Sequence, residues 1–306
     1  MAWFFIATAG YFFGAIANTL DKFLLGSKRI SSAPVYAFYA GLFGLGALLL
    51  APFGFTVPDT YIICLCLISG LIFSGGILLL FFAFSKAEAS RVAPVSGATI
   101  PLVTFILSWV FEMEKLHWLH ILGMLLLIFG GLLISFDLPL KLGKKKFFSG
   151  FYYAFAAGFF LAVAYVIFKH ISSSETFVTW YIWTRFGGFI GACLLFAIPL
   201  WRKNILKSFR SAKKDKKQTA ITGSIFLGNK IAGGLSTLMI NYAIGIGSVT
   251  LINALVSLQY VFLLMIVALF STTHAKIFQE KILFWDWAQK IAAIFIIAAG
   301  AALIYV

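Results

Sequence analysis

Ten apolar runs divide the chain, at residues 2–20, 34–52, 60–84, 92–111, 118–136, 150–168, 177–200, 219–243, 249–270 and 286–305. Each is long enough to carry an α-helix across hydrocarbon, which takes about 20 residues. Lipid offers the backbone no hydrogen-bond partner, so a spanning segment closes its own bonds as a helix or pairs within a barrel. The short alternating strands of a barrel are missing from this pattern. The prediction is an all-α integral membrane protein with ten transmembrane helices. Composition agrees, with 62% of the 306 residues hydrophobic and 11% charged, against about 25% charged in a soluble domain. A soluble enzyme, a disordered chain and a nucleic-acid-binding module are excluded.

The formal net charge is +14, yet nucleic acid is not an expected partner, because the basic residues lie mainly between the runs. Nineteen Lys and Arg fall in the odd-numbered connections, eight of them between Arg202 and Lys217, and only Lys115 and Lys169 in the even-numbered ones. The positive-inside rule then puts the odd connections in the cytoplasm and both termini outside. The same basic loops should sit against the anionic inner leaflet of the cell membrane. Residues 2–20 read as a retained span, because neither a basic n-region nor a small-residue cleavage site flanks them. Cys64, Cys66 and Cys193 lie in apolar runs and read as buried, inert thiols.

The two halves of the chain echo each other. A shift of 147 residues puts Lys22 on Lys169, Phe13 on Phe160, Gly44 on Gly191 and Pro52 on Pro199. A shift of 160 puts Ala83 on Ala243, Ala87 on Gly247 and Gly97 on Ser257, and Glu114-Lys115-Leu116 echoes Glu280-Lys281-Ile282. Five spans per half is an odd number, so the copies enter the bilayer in opposite directions. The predicted organisation is one five-helix repeat over 1–140, a basic connector over 141–149 and a second, inverted five-helix repeat over 150–306. Inverted repeats characterise many secondary transporters, whose substrate site lies where the repeats meet near the midplane.

Two segments carry a family resemblance: AFSKAEASRVAPVSGATIPLVTFILSWVFEMEKL with LGMLLLIFGGLLIS, and QEKILFWDWAQKIAAIFIIAAGAALI. A small-residue turn, a span with a central Pro, a Glu at the span's end and a Gly-containing closing span resemble the EamA-type repeat of the drug/metabolite transporter superfamily. The resemblance implies ten helices, a central cavity walled by the first four helices of each half, and peripheral fifth and tenth helices. It also implies an Arg early in the second and seventh spans. Arg185 meets that in the seventh, whereas the second has Phe38 and Tyr39. Pro101 has no proline partner, Val261 standing at the matching place. Relatives of this type are generally drawn with both termini in the cytoplasm, opposite to the charge count.

Charge at membrane depth costs about 2.5–3.5 kcal/mol on insertion scales and so marks a pathway. Lys230, near the centre of the eighth span, is the leading candidate for substrate contact. It shares a helical stripe with Gly223, Gly234, Thr237 and Asn241; a lysine snorkelling from a displaced span is the plainer reading. Arg185 is a second candidate, preceded by Trp180, Tyr181 and Trp183, which read as an interfacial belt or a binding wall. Asn253, Ser257 and Tyr260 recur at helical spacing in the ninth span, as do Gly97, Pro101, Thr104 and Ser108 in the fourth. Such stripes line cavities or simply hold helices together. Asn18, Tyr165, Asn229 and Gln259 complete the substrate-binding candidates. Pro101 with Gly97 suggests a hinge, since proline displaces one helical hydrogen bond. Glu114 and Glu280 suggest a gate or, more plainly, caps near the following helix.

His117 and His120 with Glu112 and Glu114 lack a completing cluster, so neither a metal nor another cofactor is expected. No acidic residue sits deep in a span, which points to a facilitator or exchanger, or to coupling through Asp21. The functional expectation is a permease moving a small polar metabolite, an amino acid or other carboxylate, by alternating access. An amine or aromatic cation held by Trp and Tyr faces is the competing substrate class. A membrane-embedded lipid-modifying enzyme would need a carboxylate pair, metal cluster or activated nucleophile that the spans do not carry. A monomer and a homodimer are equally compatible with the sequence.

Overall fold

The computed structural model describes residues 2–26, 32–86, 89–135, 150–211, 216–271 and 284–305. All regular structure among them is helical. In chain order the helices are α1 (Ala2–Gly26), α2 (Ala33–Gly44), a 3₁₀ helix (Leu45–Phe53), α3 (Thr60–Lys86), α4 (Ala89–Val110), α5 (Trp118–Ser135) and α6 (Phe151–Ser172). They continue with α7 (Phe177–Ala197), α8 (Pro199–Ser211), α9 (Lys216–Ile246), α10 (Val249–Ala254), α11 (Val256–Ser271) and α12 (Phe284–Tyr305). The connector 141–149 and Glu280 lie outside the described residues.

Among the described residues, eight helical stretches are long and apolar enough to cross a membrane, which makes this a multi-pass integral membrane protein. α5 contributes a shorter apolar stretch, Trp118–Ile134. α9 is longer than any of them but carries Asn229, Lys230, Thr237 and Asn241, which lower its hydropathy.

Three regions depart from the predicted runs. The second run is not one α-helix: it tightens to 3₁₀ geometry after Gly44 and ends at Pro52 and the left-handed Gly54, φ 103°. The ninth run breaks at Leu255, separating the six-residue α10 from α11. The basic stretch from Arg202, read as a connection, begins as the helix α8. Trp201, Ile205 and Ser208 recur on one face of α8 at helical spacing. Ile205 is fully buried, and the Ser208 hydroxyl is 3.1 Å from that of Tyr39 on α2. Arg202, Lys203 and Lys207 are exposed.

Packing is dominated by α1 on α9 and α11, α3 on α6 and α7, α4 on α6, α2 on α7, and α5 on α12. Without a hydrophobic drive between helices in lipid, close van der Waals approach holds such pairs. Glycine provides it at two crossings. A Cβ at Gly70 would lie 1.9 Å from the Thr184 carbonyl oxygen, and one at Gly187 would lie 2.3 Å from that of Leu67, so α3 and α7 touch backbone to backbone. Gly123 and Gly300 do the same for α5 and α12. Trp180 and Tyr181 are not an interfacial belt: both are buried, stacked among Phe168 and Phe177 in the core beside α6. Of the three thiols only Cys66 is buried; Cys64 and Cys193 are on the outer surface of the bundle.

Candidate functional site

A cavity of about 50 Å³ opens between α2, α3 and α7. Small residues make the room on α2, where Ala37, Ala40, Gly41 and Gly44 recur every three or four residues along one face. Phe73, Ser74 and Ile77 close the α3 side, and Arg185 with Gly188 the α7 side. The guanidinium of Arg185 lies 4.4 Å over the Tyr181 ring and 5.4 Å from Phe73. Its Nε and Nη2 are buried with no hydrogen-bond partner among the described residues. Arginine stays protonated in proteins. Here the rings offset part of its desolvation, and two donor nitrogens are left for an acceptor that the described residues do not supply. A planar, two-oxygen anion suits that fork.

Lys230 is half-buried, its ammonium 4.1 Å over Tyr36 and 4.9 Å from Phe226. It does not line the Arg185 cavity. Both cations touch α2, Lys230 at Tyr36 and Arg185 beside Gly44, and eight residues of helix separate these places by about 12 Å. Asn229 is buried and donates from its amide to the Ala17 carbonyl at 2.9 Å. Asn18 faces outward and is exposed. Tyr165 packs edge-on to Phe73 and Phe168, one layer behind the cavity.

The ninth-span candidates are drawn into packing. Ser257 donates to the Leu127 carbonyl at 2.5 Å, and Tyr260 to the Ala93 carbonyl at 2.8 Å. The Tyr260 hydroxyl fills the space at Gly97, where a Cβ would lie 2.0 Å from it. Gln259 abuts Gly14 across the α1–α11 contact. Pro101 is buried within α4, and Thr104 donates to the Pro101 carbonyl at 3.0 Å. Asn253 is buried with its amide nitrogen unpartnered among the described residues.

Glu114 caps a helix, though not the following one. Its carboxylate accepts from the Ser248 hydroxyl at 2.7 Å and from the Val249 backbone N–H at 2.6 Å, at the start of α10 in the other half of the chain. Lys169, read from sequence as a repeat match and a charge in a connection, donates to the carbonyls of Ile244, Gly245 and Gly247 at 3.2, 3.4 and 2.7 Å. A lone lysine in the last turn of a span preceding a short loop carries one signal, its suitability for capping helix carbonyls. Which helix it serves depends on tertiary structure.

The fold is that of a polytopic helical membrane protein, and comparison with known families adds to it. Residues 1–136 match the EamA-like transporter family. That family belongs to the drug/metabolite transporter superfamily of membrane transporters, and the first part of this chain is similar to it. No curated protein matches the chain. A solved structure titled "Crystal structure of protein" is similar over 99% of this chain and 94% of its own, with a TM-score of 0.65 and 17% identity. Likeness at that identity is one of fold.

Proposed function

We propose that the protein is a secondary transporter that moves a small polar solute bearing a carboxylate, an amino acid or similar metabolite, by alternating access between two inverted five-helix repeats. Arg185 is the residue that engages the carboxylate. The observation that carries this is the pair of buried, unpartnered guanidinium nitrogens at the cavity wall. An uncompensated buried charge is costly, and an anion relieves the cost only while it is bound. Ligand sites for whole drug-sized molecules occupy about 300–1,000 Å³. A cavity of about 50 Å³ admits a headgroup, with the remainder of the solute held along α2.

Part of the helix packing supports the repeat, although the extensive α3–α7 contact has only a slight counterpart in α9–α2. If α1 to α5 exchange with α6, α7, α9, the α10–α11 pair and α12, the α1–α9 contact becomes α6–α3, and α1–α11 becomes α6–α4. The α2–α7 and α5–α12 contacts map onto themselves. Such an arrangement lets two copies rock about a shared site. The exposed basic face of α8 suits an anionic leaflet, which supports, together with the charge count it belongs to, a cytoplasmic position for the α8 end.

Uptake by proteoliposomes tests the proposal. Carboxylate solutes should compete with one another for entry, and Arg185→Gln should abolish entry with the fold intact. Saturable uptake of amines that carboxylates leave untouched would favour the competing cation reading. The absence of any solute movement would reject transport.

A further inference from the structure

The chain reverses sharply after α4. Glu112 has a positive φ of 52°, and the Met113 N–H donates back to the Ser108 carbonyl at 2.9 Å. This bond closes a helix C-terminus around a left-handed residue, a position usually given to glycine. The reversal carries Glu114 across to the gap between α9 and α10. There its carboxylate takes the Ser248 hydroxyl and the Val249 N–H, with the Thr250 N–H at 3.5 Å. From the other side of the same gap Lys169 holds three carbonyls at the end of α9. The negative group thus sits at a helix start and the positive group at a helix end, each where the backbone dipoles favour it.

Two further observations bear on what this gap does. Gly247 is covered by Trp3, whose Cγ would lie 2.6 Å from a Cβ placed there; Phe4 beside it stacks edge-on with Tyr305. Just beneath, every residue of α10 is buried, yet Thr250 Oγ1 and Asn253 Nδ2 have no partner among the described residues. A segment that stayed dry throughout its working cycle would gain nothing from two orphaned polar groups. A segment that is periodically wetted would.

We infer that Glu114 and Lys169 form a clasp on the α9–α10 junction that seals the solute pathway at the end of the bundle where Trp3 and Tyr305 lie. The junction must leave this clasp for that end to open. Both are positioning residues: they act on the polar face of α10, and neither lines the Arg185 cavity. The inference rests on the alternating-access reading.

Cysteine accessibility tests the clasp without any solute, so its outcome is separate from that of the uptake assay. In a background with Cys64, Cys66 and Cys193 changed to Ala, Thr250→Cys reports the junction and Ala232→Cys reports a buried part of α9 elsewhere. A membrane-impermeant charged thiosulfonate is applied from the Trp3 side. Adding Glu114→Gln or Lys169→Gln should speed modification at position 250 at least tenfold and leave position 232 unchanged. Glu114→Asp should restore part of the protection. If either variant fails to fold, Ser248→Ala, which removes a single hydroxyl from the cap, should give an intermediate acceleration. Unchanged reactivity at 250, or an equal rise at both positions, would overturn the clasp.

Discussion

Two partly buried cations, Lys169 and Arg185, stand in opposite circumstances. Lys169 spends its donors on three carbonyls, and across the gap Glu114 accepts from a hydroxyl and the backbone. Arg185 has aromatic faces and a small hollow, with two nitrogens left over. A buried charge whose partners come from the chain holds the chain in place. A buried charge missing its acceptor is poised for something from outside. The distinction explains why the cation that holds two helix ends together and the one proposed to meet solute fall on different helices.

The largest effect that would break this contrast is at the satisfied end. Glu114→Ala leaves a carboxylate's worth of donors unpaired and should cost about 3 kcal/mol, read as a lowered midpoint in detergent or denaturant unfolding. Arg185→Leu should do the reverse, raising stability by about 1 kcal/mol, since it removes a charge that no described residue pairs with. A large loss there would mean that Arg185 is structural. Lys230→Ala should cost about 1 kcal/mol, the worth of cation–π contacts with Tyr36 and Phe226, and should retain carboxylate binding. Loss of binding would move the site from α7 towards α9. Ser257→Ala should have the smallest effect, about 0.6 kcal/mol for a helix-to-helix hydrogen bond in a membrane protein.

The spans were legible because hydrocarbon enforces length and hydropathy on every crossing, whatever the neighbours are. The breaks were not. Leu255 carries no glycine or proline that announces an interruption, and the cap that stabilises α10 comes from Glu114, 135 residues before Val249. Lys169 looked like a loop charge because its acceptors lie 75 to 78 residues ahead. α8 was readable in principle, for Trp201, Ile205 and Ser208 repeat at helical spacing, but the density of Lys and Arg around them suggested a solvated connection. The interfacial-belt reading of Trp180 and Tyr181 fails for a related reason. Proximity to a span's end does not tell which face turns towards α6. Arg185 could be singled out from sequence, whereas the hollow beside it depends on three helices meeting through their small residues.

The most direct test of the account is a thermal-shift titration of the purified protein with size-matched carboxylates and amines, run on the wild type and on Arg185→Gln. A ligand that binds only the folded state raises its stability by mass action. The account predicts a saturable rise in Tm with at least one carboxylate, none with the matched amine, and no rise in Arg185→Gln. An undiminished carboxylate response in Arg185→Gln would contradict it.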